Sequence, residues 1–288
     1  MADTSSGASD QPTFMSRRTP AAVARMLRRE AGFGCCSCGN PILQYHHIVE
    51  WAGDHHFRPE DMMALCPNHH DQVTKGAMPE PEQRYLKSNP WNIRHNRAKG
   101  LLEVRQNYCA VGFGTVSWVG EGVCLRIDNE NILGLALDDD NLVVSLRLFS
   151  QTDDLLVEIV RNEWVAGDPL PWDIEADWQQ LTIRNKARNI SLSLNAKVVP
   201  LELRAQFWRN SKYIECSKDG VSIGVGQTKS KVALQALSVF GGPLEIDTME
   251  RISVAYGGGL ISWSNPRERL WKAKDAWLKL KRDREALV

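Results

Sequence analysis

Residues 35–70 read CCSCGNPILQYHHIVEWAGDHHFRPEDMMALCPNHH, and they hold four of the chain's seven cysteines and six of its seven histidines. Cys35-x2-Cys38 is answered 28 residues on by Cys66-x2-His69. An x2 spacing lets one tight knuckle present two ligands to one ion, and two such pairs make the tetrahedral set that zinc takes in closed structural sites. Gly39 and Pro67, directly after Cys38 and Cys66, suit those turns. Cys36 lies inside the first knuckle and is expected to pack rather than ligate. The alternative is a set of buried free thiols.

A closed zinc site uses His69 and leaves His46, His47 and His70 without a task. His46 and His47 fall in the strand-like run YHHIVEW. Neighbours in a strand point to opposite faces, so one imidazole can hold a metal while the other handles a proton. His69 and His70 open a helical run, PNHHDQVTKG, where adjacent residues point ~100° apart. One can face the zinc and the other a second site. His55 and His56 are read as exposed loop residues near a phosphate backbone, with a ligand role as the alternative, and His95 as a surface residue.

Outward from this segment, the chain has 288 residues, 43% of them apolar and 24% charged, which is the profile of a globular protein with room for two domains. No run of about 18 apolar residues predicts a membrane span. The first 18 residues are small and polar, with no secretory signal pattern, and read as a disordered leader. The expected location is therefore cytoplasmic, where clustered cysteines mean metal or chemistry rather than disulfides. Net charge is zero but segregated. Residues 121–180 carry 14 Asp/Glu against 3 Lys/Arg, and residues 181–231 carry 10 Lys/Arg against 3 Asp/Glu. The basic block is the better nucleic-acid candidate, and the acidic block should face away or meet a basic partner or the C-terminal helix.

Thr19-Pro20 predicts a helix start, followed by PAAVARMLRREAG with Val23, Met26 and Leu27 on one face and Arg25, Arg28 and Arg29 toward solvent or a partner. Residues 79–100 read as a basic linker with a short helix over 82–88. From 101 to 264, short alternating strands separated by turns such as DDDN and QTDD predict a mainly antiparallel β-domain, sandwich or barrel-like. KVALQALSVF is open between a helix and a strand pair. Residues 265–288 predict an amphipathic helix with Leu270, Ala273, Trp277 and Leu280 in one stripe. Most tryptophans of the β-domain are expected in the core or at turns. The fold class expected is α+β.

The order CCSC, HHI, DMMALC, PNHH resembles the HNH endonuclease family, whose ββα-metal domain is bracketed by zinc-binding knuckles; the match covers about 40 of the 288 residues, within a domain placed at 19–78. The resemblance implies a structural zinc on Cys35, Cys38, Cys66 and His69. It implies His47 as general base, with His46 and His70 as ligands of a catalytic divalent ion, Mg²⁺ or another such as Mn²⁺ or Ni²⁺. Asp61 stands where the family has an Asn that braces the loop and orients the base, and its carboxylate would accept a hydrogen bond from the imidazole or bind the ion. Thr74 stands where some members place a last metal-binding His. The expected activity is hydrolysis of DNA phosphodiester bonds, with RNA left open. Arg25, Arg28, Arg29, Arg94, Arg97 and Lys99 are the candidate phosphate contacts.

The β-domain would target, regulate or assemble the enzyme, through a ligand or protein cue or as a homo-oligomer with the C-terminal helix. Two alternatives stand beside this reading. One is a catalytically silent zinc module that binds nucleic acid or protein. The other is a bacterial defence effector nuclease held inactive until the β-domain is triggered.

Overall fold

The structure is a computed structural model that describes residues 18–286 apart from 169 and 227–230. The leader read over 1–18 lies outside the described residues except for Arg18. The chain begins with a small lobe of α1 (Ala21–Glu30), β1 (Gln44–His47), α2 (Trp51–Asp54), a 3-10 turn (Pro59–Asp61), β2 (Met62–Leu65), α3 (Pro67–Thr74), α4 (Glu80–Ser88) and α5 (Trp91–His95). Pro20 precedes the first helix rather than opening it, and its carbonyl accepts the N–H of Ala24 at 2.9 Å.

β1 and β2 form an antiparallel pair, with His46 opposite Met63 and His47 opposite Met62. All four residues of β2, MMAL, are buried, because helices α1, α3 and α4 pack against the strand. The lobe's own core is small: Met63, Leu65, Ile48, Val73 and Met78, with Cys35, Cys36 and Cys66 among them. Cys36 packs there as expected, 2% exposed.

Residues 79–100 are not a free linker. Helix α5 closes over the first knuckle: the Trp91 N–H donates to the Cys36 carbonyl at 2.9 Å, and the buried Asn92 amide donates to the Gly32 carbonyl at 2.7 Å. The segment was read as polar and basic, yet its few apolar and amide groups find partners in the lobe.

The second part begins with β3 (Lys99–Leu101), which pairs antiparallel with a later strand so that Gly100 lies opposite Trp164. There follow β4 (Ala110–Phe113), β5 (Val116–Val119), β6 (Gly122–Ile127), β7 (Glu130–Asp138), β8 (Asn141–Phe149), β9 (Leu155–Val160), β10 (Glu163–Ala166), β11 (Asp173–Ala176), β12 (Gln180–Lys186), β13 (Asn189–Asn195) and β14 (Leu201–Arg209). The last strands are β15 (Lys212–Ser217), β16 (Gly220–Val225), β17 (Lys231–Leu234), β18 (Leu237–Phe240), β19 (Leu244–Ile246), β20 (Ile252–Val254) and β21 (Gly259–Ser262). They make an eight-stranded and an eleven-stranded sheet that pack on each other, β8 on β14 and β6 on β15, around one apolar core.

Most pairings are antiparallel, but β4 with β14, β5 with β18 and β6 with β19 run parallel, so both sheets are mixed. KVALQALSVF is two strands, β17 and β18, on either side of Ala236 at φ 51°. Trp118 and Trp164 are core residues, each 1% exposed, whereas Trp178 is 56% exposed.

The terminal helix α6 (Pro266–Glu285) is capped by the Asn265 side chain, which accepts from the N–H of Arg267 at 2.9 Å. Its stripe seats as expected: Ala273 is fully buried against Ala110 and Val119, with Leu270 and Trp277 beside it. Lys281 meets Glu121 at 2.9 Å, which is one place where the acidic block faces this helix. Among the described residues no helix is long and apolar enough to cross a membrane.

Candidate metal centre and histidine cleft

Cys35, Cys38, Cys66 and His69 come together with all their donor atoms within 4.8 Å of one another. The first knuckle turns at Gly39, φ 76°, a region that side chains disfavour, and the Gly39 N–H donates to the Cys35 carbonyl at 2.8 Å. The second knuckle leads into α3, which starts at Pro67 and brings His69 back over Cys66. Cys35 Sγ lies 3.6 Å from His69 Nδ1, Cys66 Sγ lies 3.1 Å from the same nitrogen, and Cys38 Sγ lies 3.9 Å from Cys66 Sγ. Metal–sulfur bonds of about 2.3 Å and metal–nitrogen bonds of about 2.0 Å give tetrahedral edges of about 3.5–3.8 Å. The four residues can therefore hold one metal ion, and three soft sulfurs with one imidazole suit zinc. Burial pushes the Cys36 thiol up to about 11 and raises that of Cys35 as well.

Three other histidines gather at a second site, His46 and His47 from β1 and His70 from α3. His46, His47 and His70 line a cleft of about 820 Å³ together with Tyr45, Trp51 and Gln83. The His46 and His70 rings lie edge to face with centroids 5.4 Å apart. His47 is buried, packed 5.1 Å from the Trp51 ring and 5.2 Å from the His56 ring. Its Nε2 lies 3.1 Å from the His56 carbonyl oxygen. A carbonyl only accepts, so Nε2 carries the proton and the lone pair of the neutral ring falls on Nδ1.

His56 was read as an exposed loop residue, and that reading is corrected: it is 6% exposed and its Nε2 donates to the Val49 carbonyl at 3.0 Å. It fastens the loop whose carbonyl orients His47. Trp51 and Phe57, which wall the His47 ring, were likewise not singled out by the sequence. Their signal was weak, because aromatics next to a polar loop look like any surface anchor.

Asp61 places its carboxylate on two arginines, accepting from Arg58 Nε at 2.8 Å and from Arg84 Nη1 at 3.0 Å. Its carbonyl accepts the Ile48 N–H at 2.8 Å, one residue beyond His47. Both oxygens are taken by guanidiniums, so Asp61 braces the end of the hairpin and ties it to α4. Arg58 and Arg84 hold its carboxyl below the usual carboxylate range. Thr74 also lines the cleft, but its hydroxyl donates to the His70 carbonyl at 2.8 Å.

Of the six candidate phosphate contacts, Arg28 is corrected outright. It is 8% exposed, and its guanidinium donates to Asp173, Glu175 and Tyr45. Helical periodicity put Arg28 with the solvent face because the acidic end of β11, packed against α1, could not be seen in the local pattern. Arg25 is partly covered, its guanidinium 4.4 Å over the Trp172 ring. Arg29, Arg94, Arg97 and Lys99 are exposed.

No family model, no curated protein and no solved structure matches this chain.

Proposed function

We propose that the chain is a metal-dependent endonuclease that hydrolyses DNA phosphodiester bonds, with a zinc ion on Cys35, Cys38, Cys66 and His69 as the rivet of the small lobe. The observation that carries this reading is the His47 ring: Nε2 is occupied by the His56 carbonyl, so the basic nitrogen is Nδ1, in a cleft shared with His46 and His70. A fixed tautomer is what a general base needs, since the proton must leave water toward one defined atom.

His47 takes the proton of the attacking water at Nδ1. Burial among Trp51, His56 and Phe57 holds the ring at one orientation and keeps bulk water from its faces. His46 and His70 are the residues that would hold a divalent ion such as Mg²⁺, Mn²⁺ or Ni²⁺. Such an ion, when bound, supplies Lewis acidity at the phosphate and charge stabilisation for the leaving oxygen. Asp61, Arg58 and Arg84 keep the hairpin end in register, and so act on His47 through the backbone of Ile48. Arg25, Arg29, Arg94, Arg97 and Lys99 are the candidate contacts for the phosphates of the strand, all outside the lining of the histidine cleft.

The test is plasmid cleavage with Mg²⁺, Mn²⁺ or Ni²⁺, run beside His47→Ala with zinc measured on both proteins. Cleavage by the wild type alone, with zinc retained in both, supports the reading. No cleavage by a zinc-loaded wild type with any of the three ions would move the protein to a silent binding module or an effector that awaits a cue.

A further inference from the structure

A second pocket, of about 450 Å³, lies at the seam between the small lobe and the β-domain. One wall is the segment after the first knuckle, Cys38–Ile42, and the other is the β3–β10 edge with Trp178. Ile42 makes an isolated parallel bridge to Ala176, so the two walls are joined by backbone two residues from Trp178. The volume lies in the range of a single small-molecule site, and the position between two lobes is where such sites recur.

The lining has a definite chemistry. Trp164 is 1% exposed, yet among the described residues its indole N–H has no acceptor. Buried indoles normally find one, and an unpaired N–H in a pocket wall asks for an acceptor from the occupant. Gly100 lets β3 lie directly against the indole: a Cβ there would stand 2.7 Å from Trp164 Nε1 and 2.6 Å from Pro41 Cγ. Trp178 is 56% exposed and offers a flat apolar face, with its backbone carbonyl anchored by the Glu103 N–H at 2.6 Å. Arg97 and Lys99 bring two positive charges to the rim, and neither has a carboxylate partner among the described residues. Glu163 is the acid of the lining and can accept from an amino group or a hydroxyl.

We propose that this seam pocket binds a nucleotide, its base stacked on Trp178 and accepting from the Trp164 indole N–H, its phosphate between Arg97 and Lys99. A planar ring with acceptors and an attached anion matches the two indoles and the two cations of the lining. Stacking on an indole is tolerant of base identity, whereas a hydrogen bond to one buried donor is selective. The nucleotide can come free from solution or as one residue of a single strand passing over the seam. Because the pocket draws its walls from both lobes, the bound nucleotide fastens them together, whatever chemistry the histidine cleft performs.

The test is binding to the full-length, metal-loaded protein, read by calorimetry and by quenching of tryptophan fluorescence. The probes are the four ribonucleoside monophosphates, a short single-stranded oligodeoxynucleotide and inorganic phosphate. One saturable site for a nucleotide probe, with phosphate alone far weaker, is the expected result. Trp178→Ala should weaken it about fivefold to 150-fold. Arg97→Ala should weaken it about tenfold, and that loss should vanish when the matching nucleoside replaces the nucleotide. Both side chains are exposed, so the variants should fold, and retained metal checks this. Binding of a mononucleotide assigns a free ligand; binding of the oligonucleotide only, lost in Trp178→Ala, assigns a base of a strand. Absence of saturable binding by every probe at millimolar concentration, or binding indifferent to both substitutions, overturns the proposal. None of these outcomes depends on cleavage, so the nuclease reading stands or fails separately.

Discussion

Arg28 on α1 and Asp173 at the start of β11 are joined by two hydrogen bonds, 3.0 and 2.8 Å long, across the seam between the small lobe and the β-domain. The same guanidinium donates to the Tyr45 hydroxyl at 2.8 Å, and Tyr45 is the residue before His46 on β1. One side chain thus connects the β-domain to the strand that carries two of the candidate site histidines.

Removing that guanidinium leaves Asp173 buried, with Arg184 at 3.5 Å as its remaining cation. Arg28→Ala should destabilise the protein by about 3 kcal/mol, since breaking one half of a buried pair strands the other charge. The Arg28→Ala/Asp173→Ala double variant should cost less than the sum of the two single changes. Urea denaturation of the four proteins measures this, and strict additivity would mean that the pair does not couple the lobes.

The small lobe has few apolar residues of its own, while the β-domain has a large and separate core. Stripping the metal with a chelator, or replacing Cys66 by Ser, should therefore unfold residues around the hairpin and leave the two large sheets folded. Hydrogen exchange resolved along the chain should show protection lost over 35–75 and kept over β6–β9. Unchanged protection of β1 and β2 after complete metal removal would contradict the rivet role.

Cleavage should respond differently to the three cleft histidines. His47→Ala should lower the rate by about 10²- to 10⁴-fold, the usual contribution of a positioned general base, at any divalent-ion concentration. His46→Ala and His70→Ala should instead shift the ion dependence, with part of the rate recovered at higher Mn²⁺. A titration of ion concentration for each variant separates the two behaviours.

The Asp61 network gives a pH dependence of defined sign. Its carboxyl sits below its ordinary value, chiefly because it accepts from Arg58 and also from Arg84. A depressed carboxylate stabilises the fold above the unfolded pKa of about 3.9, and that contribution is lost as pH falls through the folded pKa. The wild type should lose more stability than Asp61→Asn between about pH 5 and pH 2. Thermal melting across that range compares the two, and parallel curves would remove Asp61 from the account.

Ligand identity and spacing are local properties, and the chain declared them. Cys35, Cys38, Cys66 and His69 could be named from two x2 spacings because a knuckle is a few residues of backbone around one ion. The α6 stripe was readable for a similar reason, since a helix repeats its buried face every three to four residues. What stayed hidden depended on which surfaces meet. Arg28 looks solvated until β11 presents Asp173. The partners of Asp61 stay hidden until Arg84 arrives from a helix 23 residues further on. His56 looks like a loop residue until the loop folds back and its carbonyl accepts a hydrogen bond from His47 Nε2–H. The seam pocket was invisible for the same reason, because Gly100, Trp164 and Trp178 become neighbours only when β3 joins the sheet edge. Sequence alone determined the four residues that could hold a metal ion and the α+β division, both set by short-range geometry. The protonated nitrogen of His47, the partner of Arg28 and the existence of the seam were decided by tertiary contacts, whose energies depend on partners far away in the chain.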